Sequence, residues 1–294
     1  MKTALHCMIL WVSVINLYAI GFAGDERYAL IEQMNQGSVD WSRGVIYATG
    51  TGRPGGGSAE VSAARTGFAS ANQDAQRNLE TIVMDIRVDA GTSVRDVSLA
   101  KADIRLELQG IIRETQVENQ AYRSDGTPEV TLQFVMHGGF AQLMLPGDIK
   151  QIEPIRPVGP VASPPASAES GVPLPGSGAK QWPYTGLIVD ARGVEVRPAL
   201  APKIVDEDLK EIYGSAYVSR EHAVHQGMCG YMRDIQAAQR DPRVANDPLT
   251  VKGLRTHGSG QCDLVISNAD ASRLRAVSEH LSFLRQCRVI IVVD

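Results

Sequence analysis

The sequence predicts an α+β protein of two small domains joined by a Pro-rich linker. Three observations carry that reading. Pro154, Pro157, Pro160, Pro164, Pro165, Pro173 and Pro175 crowd one stretch between two halves of ordinary globular composition. A long apolar stripe at helical spacing precedes a hairpin pattern in the first half. The second half ends on five consecutive aliphatic residues, Val289-Ile290-Ile291-Val292-Val293. The 294 residues suffice for two domains, and the hydrophobic content of 44% is that of a folded chain. The expected layout is a signal peptide over 1–23, a first domain over 24–150, a linker over 151–181 and a C-terminal domain over 182–294.

The first domain is read as β-α-α-β-β. Tyr28 to Asp40 is polar, with helical character around Leu30-Ile31. Val45-Ile46-Tyr47-Ala48 has the composition of a strand. Val61, Ala64, Phe68, Ala71, Ala75, Leu79 and Ile82 then recur at steps of three and four, which predicts a helix over 58–82 with Ser58 as its cap. Its small residues Ala64, Ala71 and Ala75 suit close approach to a sheet. Asp85 to Val97 is mixed, broken at Gly91. A second helix is expected over 102–113, burying Ile104, Leu108, Ile111 and Ile112. Thr115 to Tyr122 and Glu129 to Met136 form a hairpin about Asp125-Gly126, a strong turn signal. Helices on one face of a small antiparallel sheet follow from that order.

The linker composition removes backbone donors and fixes φ, so it cannot form a ladder or a helix. It is expected to be a semi-extended spacer that lets the two domains move independently.

The second domain is read as a mixed sheet with packed helices. Thr185 to Ala191 is a strand. Val194 to Val196 and Ala199 to Val205 add strand character, with Pro198 and Pro202 pushing it to a sheet edge. A short antiparallel unit through Glu211-Ile212-Tyr213 is the economical reading, with an edge at which a partner strand docks. A helix starts after Ser219. Strands are expected over 249–255 and 262–267, then a helix capped by Asn268 or Asp270. The final aliphatic run reads as a strand buried on both faces, not an exposed edge.

The first residues speak to the compartment. Lys2 precedes a mostly apolar Ala4 to Phe22, and Gly21-Phe22-Ala23 has the form a signal peptidase needs. A secretory signal cut after Ala23 and a periplasmic location are expected. The alternative is a membrane anchor formed by an uncleaved N-terminus, since the stretch is near the spanning limit of about 20 residues. Cys7 lies too early to be a lipid-acceptor cysteine. Of the cysteines beyond it, Cys262 and Cys287 are the expected disulfide pair, each preceding an apolar run; three reduced thiols are the alternative.

The net charge is −4 and aromatics make up 5%, so neither a phosphate-neutralising nor a base-stacking surface is expected, and nucleic acid is not an expected partner. Gly50-x-Gly52-x-x-Gly55 sits between a strand and a helix, as a dinucleotide fingerprint does. Pro54 and the run Gly55-Gly56-Gly57 make the loop too long for that tight turn, and no acidic second strand follows, so a plain strand–helix connection is expected. Asp190, Asp206 and Asp208 have the chemistry of hard-cation ligands. His222, His225 and Cys229, at i, i+3 and i+7, have that of a zinc face. Neither set has the complement that a site needs. Ser215, Ser219 and Ser259 lack a partnered base. No catalytic residue, cofactor or metal is expected. Asp190, Arg192 and Arg197 are the candidate binding residues, where two cations and nearby glycines would meet an anionic ligand.

Trp41 with Gly44-Val45-Ile46-Tyr47-Ala48-Thr49-Gly50, the helix through Asp74-Ala75-Gln76-Arg77 and the hairpin at Asp125-Gly126-Thr127 resemble a known family. It is that of small bacterial envelope lipoproteins of the Helicobacter twenty-kilodalton type, and the N-terminal domain of flagellar assembly protein T is similar. The resemblance spans roughly residues 37–145 and implies a non-enzymatic envelope role. The implied partners are envelope or flagellar basal-body proteins, with peripheral outer-membrane association as the form of membrane contact in a chain without a lipid-acceptor cysteine. The alternative function is a metal-dependent periplasmic enzyme or a small-ligand sensor using the C-terminal domain. Partner identity and oligomeric state do not follow from the sequence.

Overall fold

A computed structural model describes residues 26–53, 60–149, 184–276 and 282–294. The expected signal peptide, the linker, the Gly55–Gly57 run and the Ser58 cap lie outside the described residues. The protein is α+β with two domains, each built on its own sheet.

The first domain opens with a hairpin, β1 (Ile31–Met34) and β2 (Gly37–Asp40), joined at Asn35-Gln36. The expected helical character here is therefore wrong. The segment alternates around a tight Asn-containing turn, and Leu30 and Val39 are buried against the core. β3 (Val45–Thr51) follows, then the long helix α1 (Glu60–Asp85). A short helix α2 (Val94–Ala100) was not foreseen. It is set by a capping box in which Ser93 receives the Asp96 N–H and Asp96 receives the Ser93 N–H. α3 (Ala102–Arg113) has the expected bounds, with Leu108 and Ile112 buried. β4 (Gln116–Tyr122) and β5 (Pro128–Val135) form the expected hairpin, and α4 (Gly139–Met144) closes the domain. The sheet runs β1-β2-β3-β5-β4, antiparallel throughout.

α1 lies against β3 and β5. Ile46, Ala48, Val130, Leu132 and Phe134 meet Ala71, Ala75, Leu79 and Ile82, all buried. The approach is so close that glycine is obligatory beneath it. A Cβ on Gly50 would stand 2.0 Å from the Ala75 nitrogen, and one on Gly52 would stand 2.0 Å from the Gly67 carbonyl oxygen. These glycines seat a helix backbone, which accounts for the fingerprint-like spacing without a nucleotide.

The second domain carries β6 (Gly186–Asp190), β7 (Ile204–Val205), β8 (Glu211–Tyr213), α5 (Arg220–Gln226), β9 (Gly230–Met232), α6 (Ile235–Arg240), β10 (Pro248–His257), β11 (Asp263–Ile266), α7 (Asn268–Ala276), α8 (Ser282–Arg285) and β12 (Val289–Val292). The order is β8-β7-β11-β10-β6-β12-β9. β6 pairs in parallel with β10 and β12, so it is a central strand and not part of an antiparallel edge unit. Val194 to Val196 forms no strand. The edge belongs to the three-residue β8. Leu187, Ile188 and Val189 are fully buried, as a parallel strand covered on both faces requires. β12 is buried along its length between β6 and β9, as its composition predicts. α7 is capped by Ser267, whose hydroxyl accepts the Asp270 N–H at 3.1 Å.

The domains are not independent. The outer edge of β9 is closed by the first domain: Ala29 bridges Met232, and the Arg233 N–H donates to the Tyr28 carbonyl at 3.0 Å. Leu200 and Ala201 donate to the carbonyls of Arg87 and Val88, and Gly138 donates to that of Val224. Arg220 clamps the carbonyls of Gln142 and Pro146 at 2.7 and 3.0 Å. One continuous apolar core runs through both halves. The expectation of independent motion rested on linker composition, which says nothing about what the domains bury against each other.

Gly50→Ala tests the helix–sheet contact. The added methyl meets backbone, which cannot rotate away, so a loss of about 2–3 kcal/mol in urea-unfolding stability is expected, with a lowered midpoint and an unchanged slope.

Candidate functional site

The residues singled out for binding sit where β6 ends. Asp190 is the last residue of that strand, at the carboxyl end shared with β12, β9 and β10, and this end of a parallel sheet is where α/β proteins hold ligands. Its carboxylate is already taken. Arg192 reaches back in a two-point pair, Nε to Oδ1 at 2.8 Å and an Nη to Oδ2 at 3.0 Å. Lys252 Nζ stands 3.5 Å from Oδ2 and also donates to the Arg192 carbonyl. The Arg192 hydrogen bonds lead the effects that hold the Asp190 carboxyl down to about 2. The Gly193 N–H donates to Asp294 Oδ2 at 2.7 Å and ties the turn to the residues that follow β12. The arrangement fixes the Asp190–Gly193 turn and commits the Asp190 carboxylate to two cations, Arg192 and Lys252. Arg197 is exposed five residues further on, with its main-chain N–H on the Gln261 carbonyl. The structure therefore joins Asp190 and Arg192 but does not bring Arg197 to them.

The other candidates also separate. Asp206 is buried, receives the N–H groups of Asp208 and Lys210 on Oδ1, and pairs with Arg275 at 2.6 Å. Burial works against its charge, but Arg275 and the Lys210 N–H outweigh it and hold the carboxyl below the usual range. It closes the 206–210 turn. His225 is exposed on α5, while His222 and Cys229 are half-buried. Among the described residues no three His, Cys, Asp or Glu side chains are placed to share a metal ion.

Cys229, Cys262 and Cys287 are free thiols. The expected Cys262–Cys287 bridge is not made. Cys262 precedes β11 and Cys287 precedes β12, and β10 and β6 lie between those strands. Three strand spacings amount to about 14 Å, whereas a disulfide needs Cα atoms within about 7 Å. Burial pushes the Cys229 and Cys262 thiols up to about 12 and Cys287 to about 11, so all three are poor nucleophiles.

What sequence reading missed is the junction between the domains. Tyr231 on β9 donates its hydroxyl to the Ala199 carbonyl and accepts the Ala199 N–H, both at 3.0 Å. Its ring meets Trp41 edge-on with centroids 5.8 Å apart. Ser42 donates to the Tyr231 carbonyl at 2.6 Å. Arg243 gathers the carbonyls of Gln226, Gly227 and Cys287. Beside them lies a cavity of about 30 Å³, lined by both domains and including Trp41, His137, Met228 and Cys229. That holds a water or two, far below the several hundred Å³ of a small-molecule site. Gly44 and Gly227, both at positive φ, flank His137 there. No spacing rule links Trp41, His137 and Tyr231; their pairing exists only once both domains are folded.

Residues 186–294 match the family described as Treponema pallidum Tp0624, second domain. This covers the whole of the β6–β12 sheet and is a similarity of that domain. No curated protein matches the chain.

Asp190→Asn tests the turn. Arg192 and Lys252 are both 40% or more exposed, so solvent screens the pairing, and a loss of about 1–2 kcal/mol at neutral pH is expected. The folded carboxyl is depressed, so its contribution is full above the unfolded value near 4 and fades as pH falls toward 2. Urea melts of both proteins should differ by a constant amount from pH 8 to 5 and converge toward pH 2.

Proposed function

We propose that this is a non-enzymatic protein of the periplasm or cell envelope that assembles with other envelope proteins, with the flagellar basal body as the machine to which the first domain's resemblance points. The single observation that supports it most is the contrast between two sheet edges. The β9 edge of the second sheet is closed within the chain by Ala29. Among the described residues no strand pairs with the outer side of β4 (Gln116–Tyr122), and nearly every residue of it is exposed. Its one charge is Glu118, and it has neither Lys nor Pro, the residues with which proteins blunt an edge. Val117 and Tyr122 add exposed apolar surface at 43% and 55%. Such an edge recognises an extended segment through main-chain hydrogen bonds, with side chains setting the choice.

One feature of the sequence supports export: the apolar stretch over 4–22 runs into a small-residue cleavage pattern at Gly21-Phe22-Ala23. Among the described residues no helix is long and apolar enough to cross a membrane, which is silent on export.

The test is a photo-crosslinking residue at Gln120, with Arg77 on the exposed face of α1 as the control site, in cells that are then fractionated. An envelope protein should crosslink from Gln120 and not from Arg77. Gln116→Lys with Gln120→Lys, which leaves the fold unchanged within about 0.5 kcal/mol, should abolish the same adduct when the probe sits at Ala121. Retention of the protein in the cytoplasmic fraction, or equal crosslinking from both sites, would refute the proposal.

A further inference from the structure

The junction between the domains carries one titratable group in an unusual place. His137 follows β5, and its imidazole lies between Gly44 of the first domain and Gly227 of the second. A Cβ on Gly44 would stand 2.6 Å from the ring, and one on Gly227 would stand 3.4 Å from Nε2, so the ring fills the space that both glycines leave. The next residue, Gly138, makes the hydrogen bond to Val224 that joins the domains.

The surroundings of the ring are apolar or cationic. From the first domain come Trp41, Met136, Ala141 and Leu145, none of which titrates. From the second come Cys229 and Tyr231, both kept neutral by burial, together with apolar neighbours. The charge that acts on His137 is the guanidinium of Arg243. Among the described residues, no carboxylate lines this cavity. A neutral imidazole fits such a site. An imidazolium would be partly desolvated and near a like charge, with no carboxylate among the described cavity residues to pair with it.

We propose that protonation of His137 releases the junction between the two domains, making it an acid-sensitive latch that is closed at neutral pH and loosened as the ring takes up a proton. His137 is half-buried, and its ring becomes fully hydrated when the Gly44 and Gly227 walls part, a movement that strains the neighbouring Gly138–Val224 hydrogen bond. Desolvation first, and Arg243 second, hold His137 down to about 4 in the closed form, against 6.5 in water. The folded value is depressed for a basic group, so the open form binds the proton more readily. The closed state is full above 6.5 and weakens as pH falls toward 4. The difference allows a shift of about 300-fold in the closed-to-open ratio across that range.

Amide hydrogen exchange on the full-length protein reads this directly, with rates normalised to the intrinsic rate at each pH. Between pH 7 and 4.5 the protection of Gly138, Leu200 and Ala201 should fall by tens of fold or more. Val189 and Leu132, inside the two sheets, should hold theirs. In His137→Gln, which stays neutral throughout, the junction amides should keep the same protection at both pH values. An equal loss in the Gln variant, or no loss in the wild type, would overturn the proposal. If the Gln variant does not fold, the imidazole titration of the wild type by NMR decides. A midpoint near 4 supports the latch, and one near 6.5 overturns it.

Discussion

The architecture depends on Tyr231 and what it touches. This side chain projects from the edge strand of the second sheet, hydrogen-bonds twice to the Ala199 main chain and packs edge-on against Trp41 of the first domain. An aromatic pair of this geometry adds about 1 kcal/mol beyond its burial. The buried hydroxyl is satisfied as donor and acceptor, which avoids the cost of an orphaned polar group. Around it the first domain closes the β9 edge with Ala29, and the 199–201 segment runs along the 87–88 carbonyls. Either domain alone would expose an open strand edge and the apolar surface that now forms one core. The covalent linker is therefore a secondary connection. The primary one is a packed and hydrogen-bonded junction.

That junction also organises the polar chemistry. Charged groups which looked like site components in isolation are spent on turns: Asp190 on Arg192 and Lys252, and Asp206 on Arg275 and two main-chain N–H groups. Their carboxyls are held low because they are paired, which is the signature of structural ion pairs as much as of catalysis. The cysteines follow the same logic: burial raises all three, Cys262 lies three strands from Cys287, and Cys229 and Cys287, before the neighbouring strands β9 and β12, are free thiols. The exposed β4 edge of the first domain lies on the far side of its sheet from β1, the strand next to the residues Tyr28 and Ala29 that meet the second domain.

Much of the fold was legible where local periodicity and burial agree. The α1 stripe, the α3 bounds, the β4–β5 hairpin at Asp125-Gly126 and the buried terminal strand all follow from patterns within a dozen residues. The errors have one physical origin. The 186–213 segment reads locally as an antiparallel edge, yet β6 is central because β10 and β12, more than 60 and 100 residues away, insert on either side of it. Short elements such as α2 and α4 carry too few residues for a period to show. Asp190 and Arg192 were legible as neighbours. Tyr231, Trp41 and His137 were not, because their importance lies in a contact between domains that no local pattern encodes.

The claim that the two domains form one body through this junction is tested most directly by cutting the linker. A protease site placed among the residues 165–178 of the full chain, cleaved after purification at neutral pH, gives two fragments that nothing covalent joins. The account predicts co-elution in size-exclusion chromatography at micromolar concentration, at the volume of the uncut protein, and separation when Tyr231→Ala is introduced. Separation of the wild-type fragments on cleavage would contradict it.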